Sequence, residues 1–146
     1  MDIDWGGKKE ALAYEVIRQN TKMSSRLKKG QPQISVHVRA EGDVGEIRVP
    51  VELTDPHVLL KVESALEKEI KKEIEESIQR AQKKKADIFG FGEALYRSEP
   101  KKWHQIKNHW TDKYFPNLQV NVTVDVFIRR TGLRNLPYFS NLKNNH

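Results

Sequence analysis

The sharpest alternation of apolar and polar positions lies near the C-terminal end. Leu118, Val120, Val122, Val124, Val126 and Ile128 alternate with Gln119, Asn121, Thr123, Asp125, Phe127 and Arg129. Period two predicts a strand with one apolar face, ended by Thr131-Gly132. Ile34, Val36 and Val38 alternate in the same way with Gln33, Ser35, His37 and Arg39. Lys28-Lys29-Gly30-Gln31-Pro32 is a turn by composition, and Glu41-Gly42-Asp43-Val44-Gly45 is expected to break that strand. Ile47, Val49, Val51 and Leu53 alternate with Glu46, Arg48, Pro50 and Glu52. Pro50 lacks an amide donor, which places this strand at an edge or irregularity. Ala11-Leu12-Ala13-Tyr14-Glu15-Val16 fits the start of a helix. From Ile17 onward, Gln19, Thr21, Met23, Ser25 and Leu27 share a face at period two, and the segment is read as a long strand.

Between the strands the period changes to that of a helix. Leu59, Val62, Leu66, Ile70, Ile74 and Ile78, with Ala65 and Ala81 beside them, form one stripe spaced mostly by four. Asp55 is a natural N-cap and Pro56 suits the first helical position. A helix from Pro56 to Lys85 would be roughly 45 Å long at ~1.5 Å per residue. Glu67 with Lys71, and Glu76 with Arg80, are placed for i,i+4 pairing. Lys83, Lys84 and Lys85 would complement the helix C-terminus. Ser98-Glu99-Pro100 opens another helix, with Trp103, Ile106, Trp110 and Tyr114 on one face, and Phe115-Pro116-Asn117 ends it. The order of elements predicts an α+β fold: a mixed or antiparallel sheet of about four strands, packed against a long helix and two shorter helices. No internal repeat or linker divides residues 1–146, which are read as a single domain with 1–11 and 135–146 as loose ends.

Composition narrows the chemistry. The chain has 146 residues and no cysteine, which removes disulfides, zinc-thiolate sites and thiol nucleophiles. No apolar run approaches the ~18 residues of a membrane span. Met1-Asp2-Ile3-Asp4-Trp5 is acidic and short of the apolar length of a secretory leader. The net charge of +6 suits an anionic partner, whether nucleic acid, lipid or acidic protein, and equally suits plain solubility.

"KKKADIFGFGEALYR" (83–97) is the most unusual stretch. Gly90-Phe91-Gly92 follows a helix, not a strand, and lacks both a third glycine and a Gly-Lys-Ser/Thr ending, so it is no phosphate loop. One of the glycines is expected to end the long helix, with Phe89 and Phe91 plugging the gap between helix and sheet. His104 and His109 are five apart, a spacing that does not put two metal ligands on one helical face, and neither has a carboxylate partner at a suitable offset. No nucleophile–base–acid set suggests itself among the serines and histidines. Lys101, Lys102, Trp103, Lys107, Trp110 and Lys113 interleave basic and aromatic residues. The tryptophans form the inward stripe and the lysines the outward face, which disfavours nucleic-acid binding. No catalytic, cofactor-binding or metal-binding residues are assigned, and no cofactor is expected.

Four strings carry a resemblance: "VRAEGDVGEI"; "LTDPHVLLKVESALEKEIKKEIEESIQRAQKKKADIFGFGEALYR" with Pro100-Lys101-Lys102-Trp103 after it; and "YFPNLQVNVTVDVFIRRTGL". Ala86–Glu93 and Ile128–Leu133 are the most specific parts. Together, over about Tyr14 to Leu133, they resemble the C-terminal domain of the spore germination Ger(x)C family, the C subunits of nutrient germinant receptors in endospore-forming bacteria. The resemblance implies a non-enzymatic lipoprotein domain on the outer face of the spore inner membrane. It implies the membrane-embedded A and B subunits as partners, and a role in receptor assembly or germination signalling. It further implies that the present chain is an excised C-terminal domain with a supplied start methionine, the N-terminal lipid of the full-length protein being absent. A basic surface would suit a place beside anionic lipid. The expected partner surface comprises Phe89, Phe91, Glu93, Tyr96, Arg129 and Arg130, with Phe89 and Phe91 equally explicable as core. A small-molecule germinant-binding domain is the alternative, and a basic nucleic-acid-binding module a weaker one.

Overall fold

Two consecutive residues with positive φ, Lys29 (52°) and Gly30 (77°), fold the chain back on itself. Such a pair matches the twist of two antiparallel strands joined by a two-residue turn. The strands are β3 (Tyr14–Lys28) and β4 (Gln31–Val44). The computed structural model describes the backbone of residues 2–5, 8–11, 14–44 and 55–128, and side chains within 18–42 and 55–128. Before β3 come two short strands, β1 (Asp2–Trp5) and β2 (Lys8–Ala11), paired antiparallel with Asp2 opposite Ala11 and Trp5 opposite Lys8. Asp2–Trp5 and Lys8–Ala11 are thus paired strands within the stretch 1–11 that was expected as a loose end. The signal was the Gly6-Gly7 dipeptide between two short segments, a composition two-residue hairpins favour.

After β4 come α1 (Pro56–Lys83), α2 (Phe91–Ser98) and α3 (Pro100–Ile106), then β5 (Gln119–Ile128). A 3₁₀ turn (Lys107–His109) and a π turn (Trp110–Tyr114) follow α3. The expected second helix is therefore three short pieces; the Phe115 N–H reaches back to the Trp110 carbonyl (2.7 Å), the i→i+5 bond of a π turn. The main sheet is mixed, in the order β3-β4-β5. It has three described strands where about four were expected. The reading at 47–53 lies outside the described residues, as do Arg129, Arg130 and the expected loose end at 135–146.

Strand alternation holds where the strand is covered. Ile34, Val36, Val38 and Ala40 of β4, and Val122, Val124, Val126 and Ile128 of β5, are buried. β4 runs on to Val44 through the expected break at Glu41-Gly42-Asp43. Gln33, expected to face outward, is buried and accepts a hydrogen bond from Arg26 Nε (2.9 Å). β3 behaves differently: residues 18–28 are exposed except for half-buried Ser25. It lies at one end of the described sheet, and its period-two face is left open to solvent except at Ser25.

α1 begins as its sequence dictates. The Asp55 carboxylate accepts from the His57 N–H (2.9 Å) and the Asp55 carbonyl from the Leu59 N–H (3.0 Å). Its end departs from expectation. Lys85, with φ 54°, takes the left-handed position. The Lys85 N–H donates to the Gln82 carbonyl and the Ala86 N–H to the Ala81 carbonyl. These are the two bonds of a Schellman cap, made here without glycine.

Two compact units divide the chain. The first holds Met1–Asn20, Arg39–Glu69 and Asp125–His146. Its buried apolar residues include Leu59, Val62, Leu66, Ala40, Val126 and Ile128. In it, Glu67 Oε1 accepts the Val126 N–H (3.0 Å) and Glu63 Oε2 the Ile128 N–H (3.3 Å). Glu67 was expected to pair with Lys71, and Glu76 with Arg80. Lys71 instead lies 3.9 Å from Glu75, and Arg80 donates to Ser77. The second unit holds Thr21–Val38 and Ile70–Val124, with Phe91, Leu95, Ile106, Trp110, Phe115 and Ile34 in its core.

Candidate partner-binding site

Asp87 organises the segment after α1. Its carboxylate accepts the backbone N–H groups of Gly90 (3.1 Å), Phe91 (3.1 Å) and Gly92 (2.8 Å), and the indole Nε1–H of Trp110 (2.9 Å). These amides open α2, whose first turn would otherwise leave donors without partners. The Gly-Phe-Gly turn is thus an anion-binding nest filled by the chain's own carboxylate. With the Asp87 carboxylate in place, these amides are not offered to a phosphate.

The two glycines do different work. Gly90, at φ 79°, starts α2 and does not end α1. Gly92 has ordinary φ but is crowded: a Cβ there would stand 2.9 Å from both Trp103 Cη2 and Trp110 Nε1. Trp103 and Trp110 meet edge to face at 5.4 Å. Phe89 stacks on Phe91 at 5.3 Å, and Phe91 faces Phe115 at 6.3 Å. Gln82 completes the arrangement by donating to the Phe115 and Leu118 carbonyls (3.1 and 2.9 Å), fixing the approach to β5.

Of the expected surface, Phe91 is 1% exposed and offers a partner nothing. Phe89 is half-buried. Glu93 is exposed and paired with Arg97 at 2.6 Å, four residues on. Tyr96 is 48% exposed, its ring edge-on to His104 at 5.9 Å. Phe89, Gly90, Glu93, Ala94, Arg97 and Ser98 form one wall of a groove of about 630 Å³, open to solvent. Thr21, Met23, Ser24 and Ser25 of β3 form the other. The Ser25 hydroxyl is buried there with no hydrogen-bond partner. This groove unites Phe89 and Glu93, leaves Tyr96 outside its lining, and adds β3 residues that sequence reasoning did not select.

His109 Nδ1 lies 3.6 Å from Asp112 Oδ2, a carboxylate partner the sequence reading denied it; both are exposed. Among the described residues no group of three His, Cys, Asp or Glu could hold a metal ion. Nor is any helix long and apolar enough to cross a membrane.

Residues 1–132 match the family model "Spore germination B3/ GerAC like, C-terminal". The chain belongs to this spore germination family. Spore germination protein KC of Bacillus subtilis (strain 168) is 40% identical over 137 residues, covering 94% of this chain and 34% of that protein. Spore germination protein GerQC of Bacillus cereus is 27% identical over 128 residues, covering 88% of this chain and 34% of that protein. The chain therefore spans about one third of the length of these relatives. The crystal structure of the GerBC protein superimposes with a TM-score of 0.73 at 19% identity, covering 88% of this chain and 39% of that one. It shares the fold of this germination domain. The missed residue of the site is Asp87. The available signal was an acid three positions before a glycine that opens a helix, an offset capping arrangement.

Proposed function

We propose that the chain is one C-terminal domain of a longer lipoprotein, a nutrient germinant receptor C subunit. In this reading it serves receptor assembly or germination signalling on the outer face of the spore inner membrane, beside membrane-embedded A and B subunits. The family match over residues 1–132 carries the proposal. The chemistry of the described site supports a binding role over catalysis: its carboxylate is spent on backbone amides, and its aromatic rings on packing. Glu93, Tyr96 and the exposed part of Phe89 are the surface proposed to meet a partner, together with Arg129 and Arg130. Crosslinking in spores from single reporters at Glu93 and Tyr96 tests it; adducts with a receptor subunit are expected. Unchanged receptor levels and germination rate after charge reversal at Glu93, Arg129 and Arg130 would remove the interface.

The groove favours a second reading, capture of a small polar germinant between β3 and α2. Its volume lies within the usual range of ligand pockets, and Arg97 and Glu93 offer both charges. Calorimetry of the chain against amino acids and sugars decides it: heat lost in Arg97→Ala supports capture, and silence excludes it.

A further inference from the structure

The turn between α1 and α2 has an unusual surface chemistry. Lys83, Lys84, Lys85 and Ala86 are exposed in succession. Ile88 is 76% exposed, more than any other large apolar residue among those described. The one acid in the turn, Asp87, is withdrawn from the surface because its carboxylate faces three amides and the Trp110 indole. What remains outward is a run of cations beside a bare aliphatic side chain.

The turn is also held in shape. The two cap bonds end α1, the Ile88 N–H donates to the Ala86 carbonyl (2.9 Å), and Asp87 pins the far side. Ile88 is thus presented by a braced backbone. The charge around it is one-sided. The unit that contains the turn carries fifteen Lys and Arg against seven Asp and Glu, whereas the other carries eleven against thirteen.

We propose that the 83–88 turn docks on an anionic lipid bilayer, with Lys83, Lys84 and Lys85 at the phosphate level and Ile88 inserted among the acyl-chain ends. The charge complementarity of a lysine run to an anionic leaflet is long-range and salt-sensitive. Ile88 selects a bilayer over a soluble polyanion, because only the bilayer offers an apolar layer just beneath its charges. The proposal stands apart from the germinant-receptor reading, since vesicle partition needs no partner subunit.

The chain has no cysteine, so a single Ile88→Cys substitution can carry an environment-sensitive fluorophore. A Leu60→Cys reporter serves as control, Leu60 being 64% exposed in the other unit. With vesicles of phosphatidylglycerol and phosphatidylcholine, the reporter at 88 is expected to shift to the blue and the one at 60 to stay unchanged. Co-sedimentation of the unlabelled chain should weaken about fivefold per lysine in K83Q, K84Q and K85Q, and about tenfold in Ile88→Asn. Pure phosphatidylcholine and high salt should each abolish it. The proposal is overturned if the chain ignores phosphatidylglycerol vesicles at low salt, if both reporters shift equally, or if these variants sediment like the parent. Binding to polyglutamate or duplex DNA without binding to vesicles would also overturn it, and would assign the turn to an acidic protein or to nucleic acid.

Discussion

The indole N–H of Trp110 and the carboxylate of Asp87 meet at 2.9 Å, joining the π turn to the start of α2. The same Oδ2 also accepts the Gly92 N–H at 2.8 Å. Asp87→Ala would leave three backbone amides and a buried indole without their acceptor. Unsatisfied donors cost about 1–3 kcal/mol each when water cannot reach them. Because Asp87 is only half-buried, a total loss of about 2–4 kcal/mol is expected, read as a lower urea midpoint. Asp87→Asn, which keeps one oxygen, should lose less.

The two glycines separate a conformational effect from a steric one. Gly90→Ala meets nothing within 4 Å but must hold φ near 79°, which costs about 1–2 kcal/mol. Gly92→Ala meets two indole rings at 2.9 Å, and overpacking of this kind costs about 1–3 kcal/mol. The distinguishing measurement is tryptophan fluorescence and near-UV circular dichroism of the folded proteins. Gly92→Ala should change both, whereas Gly90→Ala should change neither.

Lys85 occupies a left-handed helix cap with φ 54°. A β-carbon is unfavourable there, so Lys85→Gly should stabilise the chain by about 0.5–1 kcal/mol. Thermal unfolding checks the sign. The reverse sign would mean that glycine's extra freedom in the unfolded chain outweighs the relief.

Glu67 holds a backbone amide of β5, accepting the Val126 N–H at 3.0 Å. Glu67→Ala should speed hydrogen exchange at Val126 and cost about 1–2 kcal/mol. Glu67→Gln retains an acceptor and should protect Val126 more than alanine does. If exchange at Val126 is the same in all three proteins, the bond contributes nothing.

The Glu93–Arg97 pair is short at 2.6 Å, yet its side chains are 65% and 74% exposed. Water and salt screen such pairs, so Glu93→Ala should change stability by less than about 0.5 kcal/mol. Any effect of this substitution on germination would then report on a partner or ligand and not on folding.

Much of the fold was legible because its signals are local. The Asp55-Pro56 start of α1, the stripe Leu59, Val62, Leu66, Ile78 and the alternation Val122, Val124, Val126, Ile128 all appear where read. Each depends on neighbours within a turn of helix or a pleat of strand. The Phe91 ring was legible as a candidate for the core, and the Gly-Phe-Gly turn as no phosphate site. What failed were readings that needed a partner from elsewhere. β3 carries a period-two pattern, yet residues 18–28 are exposed except for half-buried Ser25. Glu67 looked like one more charge on a wet helix face, and nothing nearby in sequence distinguishes it from Glu73 or Glu76.

The order of residues alone therefore determined where α1 begins, which faces of α1, β4 and β5 are apolar, and which chemistries the cysteine-free composition removes. Tertiary structure decided the individual roles. Asp87 is a structural anion because Trp110 and three amides converge on it. Gly92 is a glycine because two tryptophans from α3 and the π turn close over it. Periodicity records a residue's own backbone, whereas an acceptor's purpose or a missing side chain's necessity is set by atoms that only folding brings within a few ångströms.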